Sequence, residues 1–183
     1  MPMRGRIKDV LINPTQEQIE ARDPLIVFSF YLSGRVQALL AIADEIIENL
    51  DQGFSGTVVN GSRVGRAESL MWLWTLGAYE VVRTMCQAQK CFSQRVLDDL
   101  VRLKKNLSVI RMPAAKMEKP GKKEPVNSNR SLSGWDVPNR DLLVNAPESA
   151  IVSARFILNE FDRVISSIKR DDVLAHHKES YLS

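Results

Sequence analysis

Apolar residues recur at intervals of three and four over most of this chain, the spacing that stacks them on one face of an α-helix. Between residues 23 and 51, Val36, Leu39, Leu40, Ala43, Ile46, Ile47 and Leu50 form one stripe, with Asp44, Glu45, Glu48 and Asp51 lying off it. Asp23-Pro24 supplies a start signal and Gly53 a stop. Residues 25–32 are apolar on all sides, and the cap before them, with no partner strand in view, assigns them to the helix. A second helix is predicted over about 66–89 from Leu70, Met71, Trp74, Ala78, Val81, Val82 and Met85. It carries a second apolar face, Trp72, Leu76 and Tyr79, and so is expected to sit between neighbours or to meet a partner. The third helix opens at Ser93, keeps a heptad through Val96, Leu100, Leu103, Leu107 and Ile110, and is expected to end before Pro113. The last begins near Asn145 and Pro147 and continues through Ala150, Ala154, Ile157, Phe161, Val164 and Ile168.

Shorter signals fill the gaps. Asn13-Pro14 predicts a short helix over 15–21, preceded by a polar, basic arm at 1–13. Asn60-Gly61, between β-branched residues at 57–64, is compatible with a small hairpin or with an irregular loop. Residues 113–144 hold four of the eight prolines and read as one long loop, and residues 171–183 as a C-terminal tail. The expected architecture is all-α: one domain over 1–183, a bundle of about four long helices plus a short N-terminal one.

Composition narrows the classes of function. With 183 residues and 44% hydrophobic content, the chain can bury a core without metal or disulfide support. Its net charge of +3 is too balanced for a general nucleic-acid binder. The imbalance is local: residues 113–140 carry six basic side chains against three acidic, an excess equal to that of the whole chain. No window holds the roughly 20 apolar residues that span a bilayer. The first residues lack a secretory pattern, so no membrane association and a cytoplasmic location are expected. Cys86 and Cys91 read as buried thiols, because Cys-x4-Cys without a neighbouring His is not a zinc signature. Glu45, Glu48 and Asp51 lie on a polar face and lack the Glu-x-x-His of di-metal bundles, so no metal or cofactor is expected.

Candidate chemistry is sparse. Glu80 and Arg83, three apart among aromatic residues, could form a partly buried pair whose carboxylate works as acid or base, or a plain salt bridge. Arg63 and Arg66, at the start of the second helix beside Gly61 and Gly65, offer cations and free backbone N–H groups to an anion. The lysine-rich loop with Trp135 could meet phosphates and stack one base, or serve as a solvated linker. His176 and His177 are the only histidines, and Arg170 precedes His176 by six positions with a polar Asp171 between. This Arg-x4-6-His spacing on a helical chain resembles the motif of HEPN-type ribonucleases. The resemblance implies a cleft between two subunits where Arg170 would stabilise phosphate charge and His176 would move a proton.

Taken together, the residues favour a small interaction or regulatory protein without a catalytic centre, acting as a homodimer or through a protein partner that meets Trp72, Leu76 and Tyr79. The alternative is a nucleic-acid-directed bundle, HEPN-like in using Arg170 and His176, as ribonuclease or inactive relative.

Overall fold

The computed structural model describes residues 3–119, 122–125, 133–144 and 152–178. The described residues are 66% helical, with four long helices packed together and a small three-stranded sheet. Helices α1 (Gln16–Arg22), α2 (Leu25–Phe28), α3 (Phe30–Gly53), α4 (Gly61–Gln87), α5 (Gln94–Lys116) and α6 (Ala154–Ser166) follow one another, with strands β1 (Ser133–Asp136), β2 (Asp141–Val144) and β3 (Val152–Ser153) before α6. The long helices close a ring, α3 on α4, α4 on α5, α5 on α6 and α6 on α3. Residues 54–60 and 88–93 are short links, which set successive helices antiparallel.

Apart from half-buried Val81, the described positions of the stripes read from the sequence lie in the core. Trp74, Leu40, Ile46, Leu50, Leu100, Leu103, Leu107, Ile110 and Phe161 are fully buried within one continuous hydrophobic cluster. Trp74 sits edge-on to Phe161 at 5.4 Å and donates its indole N–H to the Leu39 carbonyl at 3.1 Å, tying α4 to α6 and α3. Both cysteines are buried and are not joined by a disulfide; burial pushes the Cys86 pKa up, against a smaller opposing pull from Lys104.

Several expectations are corrected. The helix predicted from Asp23 is broken at Ser29, whose extended backbone ends α2 and whose hydroxyl accepts the Leu32 N–H to cap α3. Residues 60–61 form no hairpin: the Asn60 side chain accepts the Arg63 N–H, so α4 starts at Gly61 rather than near Arg66. Asparagine suits both a turn and an N-cap, and the apolar register from Val64 onward decides for helix. Gly53 closes α3 by permitting close approach, since a Cβ there would lie 2.7 Å from Val64 Cγ2.

Residues 113–144 are not one loop. Helix α5 runs through Pro113, whose ring is buried, to Lys116, where left-handed Met117 ends it and donates its N–H to the Pro113 carbonyl at 3.1 Å. Packing of the proline ring against the core offsets the helical bond it cannot make. Residues 133–144 form an antiparallel hairpin, Trp135 opposite Leu142, with Asn139 held by Asp136 in the turn. Strand β3 pairs with β2 and leads straight into α6 at Ala154, later than expected from Asn145; residues 145–151 lie outside the described set. Buried Asp141 accepts the Ser153 hydroxyl and the N–H groups of Leu142 and Arg155, joining sheet to helix.

The arm and the tail are both docked as far as they are described. Asp162 accepts the N–H groups of Arg4 and Gly5 at 2.9 and 2.8 Å, and Asp44 that of Met3 at 2.6 Å. At the other end, Val173 pairs with Phe92, Leu174 donates its N–H to Cys91, and the His177 ring lies 4.9 Å from that of Phe28.

Candidate functional site

Helices α3 and α4 are neighbours along their whole length, and where their walls part they leave a groove of about 460 Å³. Its walls are Leu32, Leu39 and Ile42 from α3 and Leu73, Gly77 and Val81 from α4. Gly77 brings the walls together, since a Cβ there would stand 3.0 Å from Leu39 Cδ2. One end is polar: Tyr31 and Arg35 on α3 lie across from Glu80 and Thr84 on α4, with His177 from the docked C-terminal segment. Arg35 lies over the Tyr31 ring at 4.8 Å and donates to its hydroxyl. Tyr31 at this end is 69% exposed, and further along Leu73 is 53% exposed. A row of large apolar groups left in water beside a concave apolar surface is the signature of an interaction face.

Trp72, Leu76 and Tyr79 face another way. The Trp72 indole N–H donates to the Ala114 carbonyl at 3.0 Å, Arg111 covers the Tyr79 ring at 5.1 Å, and Leu76 lies half-buried between them. The strip of α4 that lines the groove is Leu73, Gly77 and Val81, about 100° further round the helix, and Trp72 is as exposed as Leu73, at 53%. Helix α4 thus carries two partly exposed apolar strips, one lining the groove and one, with Trp72, Leu76 and Tyr79, beside α5.

Glu80 and Arg83 are joined at 2.7 Å, with Arg111 at 3.6 Å from the same carboxylate, and the pair is about half exposed at the surface. Arg66 bonds Glu45 at 3.0 Å and Arg63 reaches Asn49 at 3.4 Å, so both arginines fasten α4 to α3. Trp135 is 46% exposed on β1, beside Gly61. Lys116 ends α5 and Lys119 pairs with Glu124 at 3.4 Å, while residues 126–132 lie outside the described set.

Arg170 and His176 are not brought into a shared cavity. The Arg170 guanidinium is held by Glu20 at 2.6 Å and by the Val173 carbonyl at 3.1 Å, on the wall of a groove that His176 does not line. His176 is exposed; its Nδ1 accepts the Lys178 N–H at 3.2 Å and its carbonyl receives the Cys91 thiol. Among the described residues, no three His, Cys, Asp or Glu side chains converge as metal ligands would, and no helix is long and apolar enough to cross a membrane.

The class these features define is an all-α bundle with a small sheet and an exposed apolar groove. Compared with known proteins, the chain matches no family model, no curated protein and no solved structure at a significant level.

Proposed function

We propose that this is an interaction protein that acts as a homodimer, with the α3–α4 groove as its contact face. The observation that carries the reading is the placement of opposite charges at one level of an apolar groove, Arg35 on the α3 wall and Glu80 on the α4 wall. A twofold interface turns one patch against its own copy, so the patch must be self-complementary. An axis running along the groove lays α3 of each copy over α4 of the other and sets Arg35 opposite the partner's Glu80. Among the described residues Arg35 enters no ion pair and donates to the neutral Tyr31 hydroxyl, while Glu80, already held by Arg83 and Arg111, would share its carboxylate with the partner's Arg35. Tyr31 and Leu73 then leave water together, and about 800 Å² per subunit is the area a stable dimer buries.

Sedimentation velocity over a range of protein concentrations tests this. The wild type is expected at twice the 20.7 kDa chain mass. Leu73→Glu and Arg35→Glu should give monomers with unchanged helical circular dichroism. Val101→Glu alters a residue equally exposed on α5 and should remain dimeric. A wild type that stays monomeric up to its solubility limit, or a Leu73→Glu variant as dimeric as wild type, would overturn the proposal.

A further inference from the structure

We propose that a second groove, between the N-terminal arm, the α1–α2 corner and the end of α6, binds a small anion bearing at least one phosphate group. The groove measures about 460 Å³ and shares no lining residue with the α3–α4 face, so it is independent of the dimer reading. That volume lies within the range of pockets that hold small molecules.

The case rests on charge and on where that charge comes from. Arg4 and Arg6 enter from the arm, Arg22 from the end of α1, and Lys169 and Arg170 from the segment after α6. Two of the five are already neutralised, Arg6 by Asp44 at 3.0 Å and Arg170 by Glu20 at 2.6 Å. Arg22 donates at 2.9 Å to the Asp9 carbonyl, a neutral acceptor that leaves its charge uncompensated. Among the described residues, Arg4, Arg22 and Lys169 enter no ion pair, so three cations from three separate parts of the chain border one concave space. Of the two carboxylates in the wall, Asp23 is buried and takes the Ser33 hydroxyl, which leaves Asp171 as the exposed one.

The wall is built rather than loose. Gln37 accepts the Ile7 N–H at 2.9 Å and donates to the Gly5 carbonyl at 3.1 Å, while Asp162 holds the Arg4 and Gly5 N–H groups. Arginine forks fit phosphate oxygens two at a time, and three convergent cations match a doubly charged group better than a single carboxylate.

Titration calorimetry of the full chain with inorganic pyrophosphate tests the site, with inorganic phosphate, adenosine triphosphate, citrate and a single-stranded RNA as parallel arms. Pyrophosphate is expected to bind, and Arg22→Glu and Lys169→Glu each to weaken it about tenfold, the loss of one charge-assisted contact. Asp171→Asn should tighten binding, a gain that mere damage to the fold does not produce. Lys105→Glu, an equal change of charge outside the groove, should leave it unchanged. Tighter binding of adenosine triphosphate than of inorganic phosphate, lost in the same variants, supports a phosphorylated metabolite. The proposal is overturned if millimolar pyrophosphate gives no heat, if the groove variants bind as wild type, or if citrate binds as tightly. RNA binding whose salt dependence reports many phosphates would also overturn it, in favour of a polymer.

Discussion

The Ser93 hydroxyl donates to the Asp172 carboxylate at 2.6 Å, joining the start of α5 to a segment 79 residues later. Arg95 pairs with the same carboxylate, and the Lys169 N–H reaches it at 3.0 Å. Burial acts to raise the Asp172 pKa, but these hydrogen bonds and the Arg95 charge outweigh it and bring the value down to about 2. A carboxylate whose folded pKa lies below its unfolded value of about 3.9 adds stability that is present above that value and is lost as pH falls toward the folded one. Asp172→Asn is therefore expected to cost about 1–2 kcal/mol at about pH 7, allowing for the half-exposed Arg95, and almost nothing at about pH 2. Urea unfolding at the two pH values measures the difference. A cost that does not change with pH would assign the effect to packing.

The arm depends on Asp162 in the same manner. Its carboxylate, 8% exposed, accepts two successive N–H groups from Arg4 and Gly5 and the Ser166 hydroxyl at 3.0 Å. Asp162→Ala leaves these donors without their acceptor and should cost about 1–3 kcal/mol. Hydrogen exchange should then show the Arg4 and Gly5 amides losing protection while those of α5 keep theirs. Undiminished protection at Gly5 would mean that the arm is held by Asp44 and Gln37 alone.

The long helices were legible because burial imposes a period that a single sequence displays: every position of the Val96 to Ile110 heptad is buried. The sheet was not, since its strands are two to four residues long and Leu142 is its only fully buried apolar side chain. Too few alternations exist there to outweigh a Pro- and Asn-containing turn. The misplaced end of α5 had a consequence at the site. Carrying that helix past Pro113 brings the Ala114 carbonyl to the Trp72 indole N–H, a bond the predicted end left out, while Trp72 stays 53% exposed. Arg170 and His176 are near in sequence, but the chain turns between them, and spacing alone carries no record of Glu20 on a distant helix.

Two glycines in α3 should respond oppositely to alanine. At Gly53 a Cβ would stand 2.7 Å from Val64 Cγ2, closer than the two helices allow, so Gly53→Ala should destabilise by about 1–3 kcal/mol. At Gly34, inside the same helix, a Cβ meets nothing within 4 Å. Gly34→Ala should stabilise by about 0.5–1 kcal/mol, through better helix propensity and a less flexible unfolded chain. Thermal unfolding of both variants under identical conditions gives the two signs. A destabilised Gly34→Ala would show that this face of α3 is covered in solution.

Asp23 is a buried carboxylate that none of the cations around its groove pairs with among the described residues. It is 7% exposed, takes the Ser33 hydroxyl and the Leu25 N–H, and enters no ion pair among the described residues. Burial pushes its pKa up, and the two hydrogen bonds pull it back only in part. The sign is opposite to that of Asp172. Below about pH 4 the folded and unfolded states both hold the proton and the residue costs nothing, whereas the penalty grows as pH rises through the raised folded value. Asparagine can accept the same hydroxyl and N–H without charge. Asp23→Asn should therefore be more stable than wild type at about pH 7, with the gain fading below about pH 4. Urea midpoints across that range check the sign, and a variant weaker at neutral pH would mean that the ionised carboxylate is the form the fold prefers.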